Sequence, residues 1–465
     1  MGYVKDNQHY LVLNSKLTID ITKNLNYSFQ YGVTNRQDDR LATVPTYEMR
    51  DYWNPEIIRR SVNINSLYEK REENIQTTLN TLLNYNLVLN NNNITALVGY
   101  SQIANDYKSL DAYGRRLYNN DILTLGETEL ENRKIGSKYE DWRLRSVFGR
   151  INYDLLNRYL IEINMRYDGS SRFSKGHRYT FFPSFSGAWR MSEEQFFFNM
   201  KRIINDLKLR ISWGETGNQN IGLYTFIENL NLGNYYVFNG IPVPGVRQLD
   251  FASKELTWET TSQYNFGLDL SLFRNRLALT FDYYSKQTKG ILLNLPIPAT
   301  VGLNPISTNA GQVENKGWEF NSSWRDSRGD FSYGLTFNIS DVKNRVISLE
   351  GTGPYYSGSR NVLIIKEGLP INSIYAYRAN ALLTQADVDS NYPTIHANPQ
   401  PGDIKYNDLN NDGKIDSEDK DYLGSTIPRY TYMVSGNLRY KNIDLNVHFQ
   451  GVGEVFTQAD GNYIF

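Results

Sequence analysis

The sequence predicts an all-β fold, a transmembrane antiparallel up-and-down β-barrel. Three observations predict it: hydrophobicity alternates with a period of two, connections alternate between short and long, and the composition is polar yet rich in amphipathic rings. The 465 residues include 63 aromatics and 52 asparagines, and the mean hydropathy is -0.53. That low average suits a barrel, because only every second strand residue meets lipid while the lumen and loops are polar. No stretch approaches the roughly 18 apolar residues that a transmembrane helix needs. The 49 Lys plus Arg balance 50 Asp plus Glu to a net charge of -1, which leaves no whole-chain electrostatic footprint for nucleic acid. Without cysteine there is no disulfide, thiolate metal site or cysteine nucleophile, and His9, His177, His396 and His448 are the only imidazoles.

Taken in order, the alternation predicts fourteen strands near residues 11–21, 25–33, 75–89, 94–100, 143–153, 159–167, 179–189, 207–213, 264–272, 277–285, 318–324, 331–339, 430–440 and 443–451. In the sixth, Tyr159, Ile161, Ile163, Met165 and Tyr167 alternate with Glu162, Asn164 and Arg166. In the eighth, Leu207, Leu209, Ile211 and Trp213 alternate with Lys208, Arg210 and Ser212, and in the last, Ile443, Leu445, Val447 and Phe449 alternate with Asp444, Asn446 and His448. Thr22-Lys23-Asn24, the run Asn90 to Asn93, and Lys441-Asn442 read as hairpin turns. The intervening connections 34–74, 101–142, 214–263, 286–317 and 340–429 are long, and only 168–178 is short. A soluble sandwich has no reason to place its long loops at one side, whereas outer-membrane barrels have short periplasmic turns and long extracellular loops. Tyr31, Tyr100, Trp189, Trp213, Tyr283, Trp318 and Trp324 are expected at strand ends, as interfacial aromatic girdles.

Residues 191–205 break the alternation and read as a short periplasmic helix, with Ser192 as its N-cap and Glu194 behind it. In this topology residues 1–10 and 452–465 fall in extracellular loops, and the barrel would be left with two open edges. Bilayer hydrocarbon does not tolerate such edges, so the chain is expected to be a fragment of a larger barrel. Phe465 does not read as the end of a final strand, because Asp460-Gly461-Asn462 before it does not alternate.

Residues 402–424 form an acidic insertion. Within it Asp408, Asn410, Asp412, Asp416 and Asp419 hold positions 1, 3, 5, 9 and 12 of a calcium-type loop, with Gly413 at the turn and Lys414 offering its backbone carbonyl at position 7. Asp419 is shorter than the usual bidentate Glu, and no amphipathic helices flank the loop. A structural Ca2+ is expected there. The loop follows Gly402-Asp403-Ile404-Lys405-Tyr406 and precedes Gly424 and Pro428. Further landmarks are Arg166 to Phe173 (RYDGSSRF), Ser212 to Gln219 (SWGETGNQ), Leu256 to Thr261 (LTWETT), Asn309-Ala310-Gly311 and Glu314 to Glu319 (ENKGWE).

In order and spacing this set resembles the C-terminal part of the SusC/RagA family barrel, over nearly the whole chain. The resemblance implies a TonB-dependent outer-membrane transporter of a Bacteroidetes-like Gram-negative cell, with a 22-stranded barrel, an N-terminal plug and a SusD-like surface lipoprotein as lid. About fourteen of those strands are expected here, without the plug, TonB box or signal peptide. The resemblance implies import of oligosaccharides, or in some members peptides, with energy passed through TonB. Tyr224, Tyr235, Tyr236 and Phe238, in the 214–263 connection, are the candidate substrate contacts, since sugar rings offer apolar faces to aromatics. No enzyme is expected: His448 is a lone lumen-side histidine and no serine stands at a nucleophile elbow. A soluble or surface carbohydrate-binding β-protein with a calcium loop is the alternative, though it leaves the alternating connection lengths without a cause.

Overall fold

The computed structural model describes residues 2–295 and 299–458. Fourteen strands form one sheet: β1 (Val4–Asp20), β2 (Leu25–Val44), β3 (Ser66–Leu89), β4 (Asn92–Arg115), β5 (Lys134–Leu155), β6 (Tyr159–Ser170), β7 (Tyr179–Arg190), β8 (Ile204–Asn218), β9 (Glu259–Leu272), β10 (Leu277–Leu295), β11 (Ile306–Arg328), β12 (Phe331–Ser348), β13 (Thr431–Tyr440) and β14 (Ile443–Val452). Strands adjacent in sequence are adjacent in the sheet throughout, which is up-and-down antiparallel order. Two compact units divide the described residues, one of 2–152, 164–182 and 219–227, the other of 153–163, 183–218, 228–295 and 299–458.

Every expected strand is present, but most run longer than the alternation showed. Residues 4–10, expected in a loop, pair with residues 42–36 as the first part of β1. β3 begins nine residues before its expected start. The cause is visible in Glu69-Lys70-Arg71-Glu72-Glu73, which is polar on both faces yet pairs with residues 41–37 on one side and 112–108 on the other. Backbone hydrogen bonds continue the ladder after the apolar face has ended, so period-two hydrophobicity stops before the strand does. The long extensions carry cross-strand ion pairs of their own, such as Arg71 with Asp39 at 2.8 Å.

The turns confirm the alternation of connection lengths. Asn90 and Asn91 alone separate β3 from β4, so the turn is tighter than the expected run to Asn93. Between β5 and β6, Leu156 and Asn157 both take positive φ (60° and 55°), the conformation of a two-residue hairpin. The expected helix at 191–205 is instead two 3-10 turns, Met191–Glu193 and Gln195–Met200. Ser192 caps neither; it is buried and its hydroxyl donates to Asp206 Oδ1 at 3.0 Å. Glu194 between them is extended, and its carboxylate accepts from the Tyr159 hydroxyl at 2.5 Å and the Trp189 indole N–H at 3.1 Å.

In the second unit, Leu209, Ile211, Phe266, Leu268, Leu270, Leu279 and Phe281 share one sheet face by register. Phe185 stacks on Trp213 at 5.9 Å and Trp213 meets Tyr264 at 6.3 Å above this band, while Phe273 meets Trp324 at 6.3 Å at the short-turn end. Of the aromatics expected at strand ends, Trp189 and Trp324 lie near them. Tyr31, Tyr100, Trp213, Tyr283 and Trp318 lie mid-strand, because the strands continue beyond them. The long connections carry small sheets: hairpins Tyr47–Arg50 with Ile58–Val62 and Leu230–Phe238 with Ile241–Gln248, a four-stranded sheet in 355–424, and the pair Ala379–Leu382 with Ile404–Tyr406. Val313, Val346 and Leu349 form a buried cluster where β11 and β12 meet the four-stranded sheet.

Candidate functional site

In each unit short polar side chains satisfy one another across neighbouring strands. In the first unit Asn84 donates to Asn26 at 2.9 Å, Ser101 to Asn80 at 2.6 Å and Asn105 to Asn74 at 2.6 Å. In the second, Asn344 donates to Asn315 at 2.8 Å, and Asn338 accepts from Asn321. A carboxamide both donates and accepts without carrying charge, so such pairs close across strands with no counterion. Charged groups opposite the apolar band pair too, as Lys208 does with Asp269 at 2.8 Å, and the largest cluster centres on Arg210. Its guanidinium donates to both carboxylate oxygens of Asp269, each at 2.9 Å, and to those of Asp282 at 3.0 and 3.1 Å. Asn265 adds a further bond to Asp282 at 2.9 Å. A cleft of about 850 Å³ runs along β10 to β14 beside these groups, its polar lining including Asp282, Glu319, Asn321, Asn338, Thr431 and Gln450. His448 pairs in register with Ser435 on β13.

Most of the sequence landmarks prove to be knots that tie long connections to strand ends. In RYDGSSRF, Arg166 binds both oxygens of Asp168, Ser171 Oγ accepts from Arg143 N at 2.8 Å, and Ser170 and Phe173 are fully buried. Arg172 donates to the Ile221 carbonyl at 2.5 Å and lies over the Trp142 ring. Asn309 accepts from Thr257 N and donates to the carbonyls of Thr257 and Gly290, which seats the buried Leu256 and Trp258. In ENKGWE, a Cβ on Gly317 would meet Tyr284 Oη at 2.5 Å and the Asp341 carbonyl at 2.6 Å, so only glycine fits there. Sequence reading found these residues without assigning them this role, since their partners are distant in the chain.

The acidic loop folds on its own carboxylates. Asp408 Oδ2 accepts from Gly413 N at 2.9 Å, Asn410 Oδ1 from Asp412 N at 3.1 Å, Asp412 Oδ1 from Lys414 N at 2.9 Å, and Asp416 Oδ1 from Glu418 N at 2.9 Å. Asp419 is completely buried and accepts from the backbone N–H groups of Leu409 and Asp416, both at 2.8 Å. Backbone N–H groups at Asp416, Leu409 and Asn410 hold its carboxyl below the usual carboxylate range, against the opposing cost of burial. Asp408 Oδ1 is buried without a hydrogen-bond partner. Among the described residues no three His, Asp or Glu side chains converge closely enough to hold a metal ion. The donor types and order therefore match a hard-cation loop, while the carboxylates themselves are not gathered. Nearby, Asp387 accepts from Lys405 Nζ at 2.6 Å and from Thr384 N and Oγ1, which lowers its pKa to about 2.

The four candidate substrate aromatics do not form one group. Tyr224 belongs to the first unit, where its hydroxyl donates to Asp141 Oδ1 at 2.7 Å and accepts from Asp141 N at 2.9 Å. Tyr235, Tyr236 and Phe238 lie in the second unit on the Leu230–Phe238 hairpin strand and are 69, 57 and 66% exposed. Their hairpin turns at Asn239-Gly240, with φ of 49° and 78°, and the register puts Tyr236 and Phe238 on one of its faces, Tyr235 and Val237 on the other.

A family model described as "TonB dependent receptor-like, beta-barrel" matches residues 2–463. The TonB-dependent receptor P3 of Formosa agariphila is 34% identical over 391 residues, covering 81% of this chain and 39% of that protein. The TonB-dependent receptor SusC of Bacteroides thetaiotaomicron is 33% identical over 321 residues, covering 65% of this chain and 30% of that protein. Among solved structures, one described as the RagAB peptide transporter superposes with a TM-score of 0.81 at 21% identity, covering 97% of this chain and 48% of that one. The chain thus spans less than half the length of these relatives.

Proposed function

Because the chain belongs to the TonB-dependent receptor-like β-barrel family, we propose that it supplies part of the barrel of a SusC-type importer in the outer membrane of a Bacteroidetes-like Gram-negative cell. The observation that carries this reading is the two-faced sheet of the second unit: an apolar, aromatic-bounded face toward lipid and an amide-lined face toward a lumen. Short turns then face the periplasm and the long connections face outward. The cargo is a polar oligomer. Neutral amides and hydroxyls around a cleft with few unpaired charges suit an oligosaccharide, and a peptide backbone is the second class such a wall can bind. A SusD-like surface lipoprotein covers the outer mouth, and the exposed apolar 230–248 hairpin supports a protein contact there. Energy reaches the barrel from the TonB complex through parts of the protein beyond these residues. The protein moves its cargo and does not transform it. Deleting the full-length gene and measuring growth and uptake on defined oligosaccharides and on peptides tests the proposal. Loss on one class, restored by the gene, supports it; unchanged uptake of both classes contradicts it.

The acidic loop supports a calcium proposal of structural kind. Asp408, Asn410, Asp412, the Lys414 carbonyl, Asp416 and Asp419 would hold the ion, with Asp408 Oδ1 a buried oxygen that takes part in none of the loop's own hydrogen bonds. The ion would supply only cross-linking of the loop.

A further inference from the structure

Resting on the reading above, in which the β7–β8 connection lies at the periplasmic side, we propose that β6 to β9 and this connection hold one phospholipid of the inner leaflet. The acyl chain lies in a trough on the lipid face, and the phosphate lies beside the connection's cations. The trough has a volume of about 510 Å³ and is lined mainly by Tyr159, Ile161, Gly187, Trp189, Leu209 and Ile211. That volume falls within the roughly 300–1,000 Å³ of ordinary ligand sites. Its floor is the missing side chain of Gly187, where a built Cβ would find Ile211 Cγ2 at 3.8 Å and the Leu160 carbonyl at 4.0 Å.

The bilayer determines what fills it. A concavity on a hydrocarbon-facing sheet surface is not hydrated, and its apolar lining gains contact only from an acyl chain. The aromatic rims are fixed. Girdle tyrosines and tryptophans ordinarily turn their polar ends to headgroups and water. Here Tyr159 and Trp189 both spend theirs on Glu194, whose other oxygen lies 3.4 Å from Arg158. The rings therefore stand as preformed walls.

The connection completes the site. Phe197 is buried and anchors its second 3-10 turn, while Phe196 and Phe198 on either side are 63 and 76% exposed, followed by exposed Met200 and Ile203. Exposed phenylalanines beside cations are the composition of an element lying in a membrane interface. Lys201 pairs with Glu193 at 3.0 Å. Arg202 is exposed and makes no ion pair among the described residues, which leaves it for a lipid phosphate.

The test is native mass spectrometry of the full-length protein extracted from outer membranes, stripped stepwise of lipid and then offered phosphatidylglycerol. Gly187→Leu fills the trough, and the open space above Gly187 lets the barrel keep its fold, which heat-modifiable gel migration verifies. Wild type is expected to retain one phospholipid, with retention at least tenfold lower in Gly187→Leu and reduced in Arg202→Glu. Equal retention by wild type and Gly187→Leu overturns the site, as does a wild type that retains none or retains lipopolysaccharide instead. In those cases the protein still fractionates as a heat-modifiable outer-membrane barrel. If wild type itself fails to fractionate that way, the barrel reading falls and this site with it.

Discussion

Asn309→Ala is expected to release the 256–258 segment from the end of the sheet while leaving the strands intact. The Asn309 carboxamide accepts from Thr257 N at 2.9 Å and donates to the Thr257 carbonyl at 2.9 Å and the Gly290 carbonyl at 2.8 Å. A net hydrogen bond contributes about 0.5–1.5 kcal/mol, so removing three costs about 3 kcal/mol of local stability. At about 1.4 kcal/mol per factor of ten, amide exchange across 256–258 accelerates roughly 100-fold. Asn309→Asp keeps the oxygen facing Thr257 N but turns a second carboxylate oxygen on the Thr257 and Gly290 carbonyls, so exchange is expected to accelerate at least as much as in Asn309→Ala. Hydrogen-exchange mass spectrometry of the full-length protein in nanodiscs reads both values, with the β1–β2 hairpin as internal reference. Exchange that stays at the wild-type rate in Asn309→Ala, or that rises equally in the reference hairpin, refutes the knot.

Three more outcomes are expected. Arg210→Met leaves Asp269 and Asp282 facing each other without their shared cation; both are partly solvated, so the loss is a modest one of about 1–3 kcal/mol, read as a lower temperature of the heat-modifiable gel transition, and an unchanged transition contradicts it. Asp387 has its pKa depressed to about 2. Its contribution is therefore complete above the unfolded value of about 3.9 and is lost as pH falls toward 2. Pepsin is expected to spare the 383–405 segment at pH 4 and cut it at pH 2, whereas Asp387→Asn is cut sooner at pH 4; equal cutting of both proteins at pH 4 counts against the Lys405 and Thr384 contacts. For the acidic loop, terbium luminescence sensitised by Tyr377, which lies within electrostatic reach of Asp416 and Asp419, is expected in the wild-type full-length protein, competed by calcium and abolished by Asp408→Asn with Asp412→Asn, and signal equal in both proteins removes the calcium proposal.

How much was legible depended on whether a residue's role was set by its near neighbours. All fourteen strands could be read because lipid or lumen imposes a side on each residue, and a side shows as alternation. The extensions through Glu69–Glu73 and residues 4–10 could not, since water on both faces imposes none. The 230–248 hairpin carries the Asn239-Gly240 signature between apolar runs, but the residues flanking that turn are apolar on both faces and so do not alternate. Proximity in sequence groups Tyr224 with Tyr235, Tyr236 and Phe238, whereas its contact is Asp141, 83 residues earlier. Ser192 ahead of Glu194 has the pattern of a cap, but Glu194 is claimed by Tyr159 and Trp189. The landmark motifs could be found but not explained, because Asn309 acts on Thr257 and Ser171 on Arg143, pairings that only the fold reveals.

The central claim is that one sheet face meets lipid and the other a water-filled lumen. The most direct measurement places single cysteines along β9 in the full-length protein, exploiting the absence of cysteine from these residues. Thr261, Gln263 and Asn265, on the polar face by register, are expected to label with a membrane-impermeant maleimide in intact outer membranes. Phe266, Leu268 and Leu270 are expected to resist it and to carry fluorophores quenched by brominated lipid. Equal labelling at both sets, with no lipid quenching at either, would show a sheet solvated on both faces and contradict the barrel.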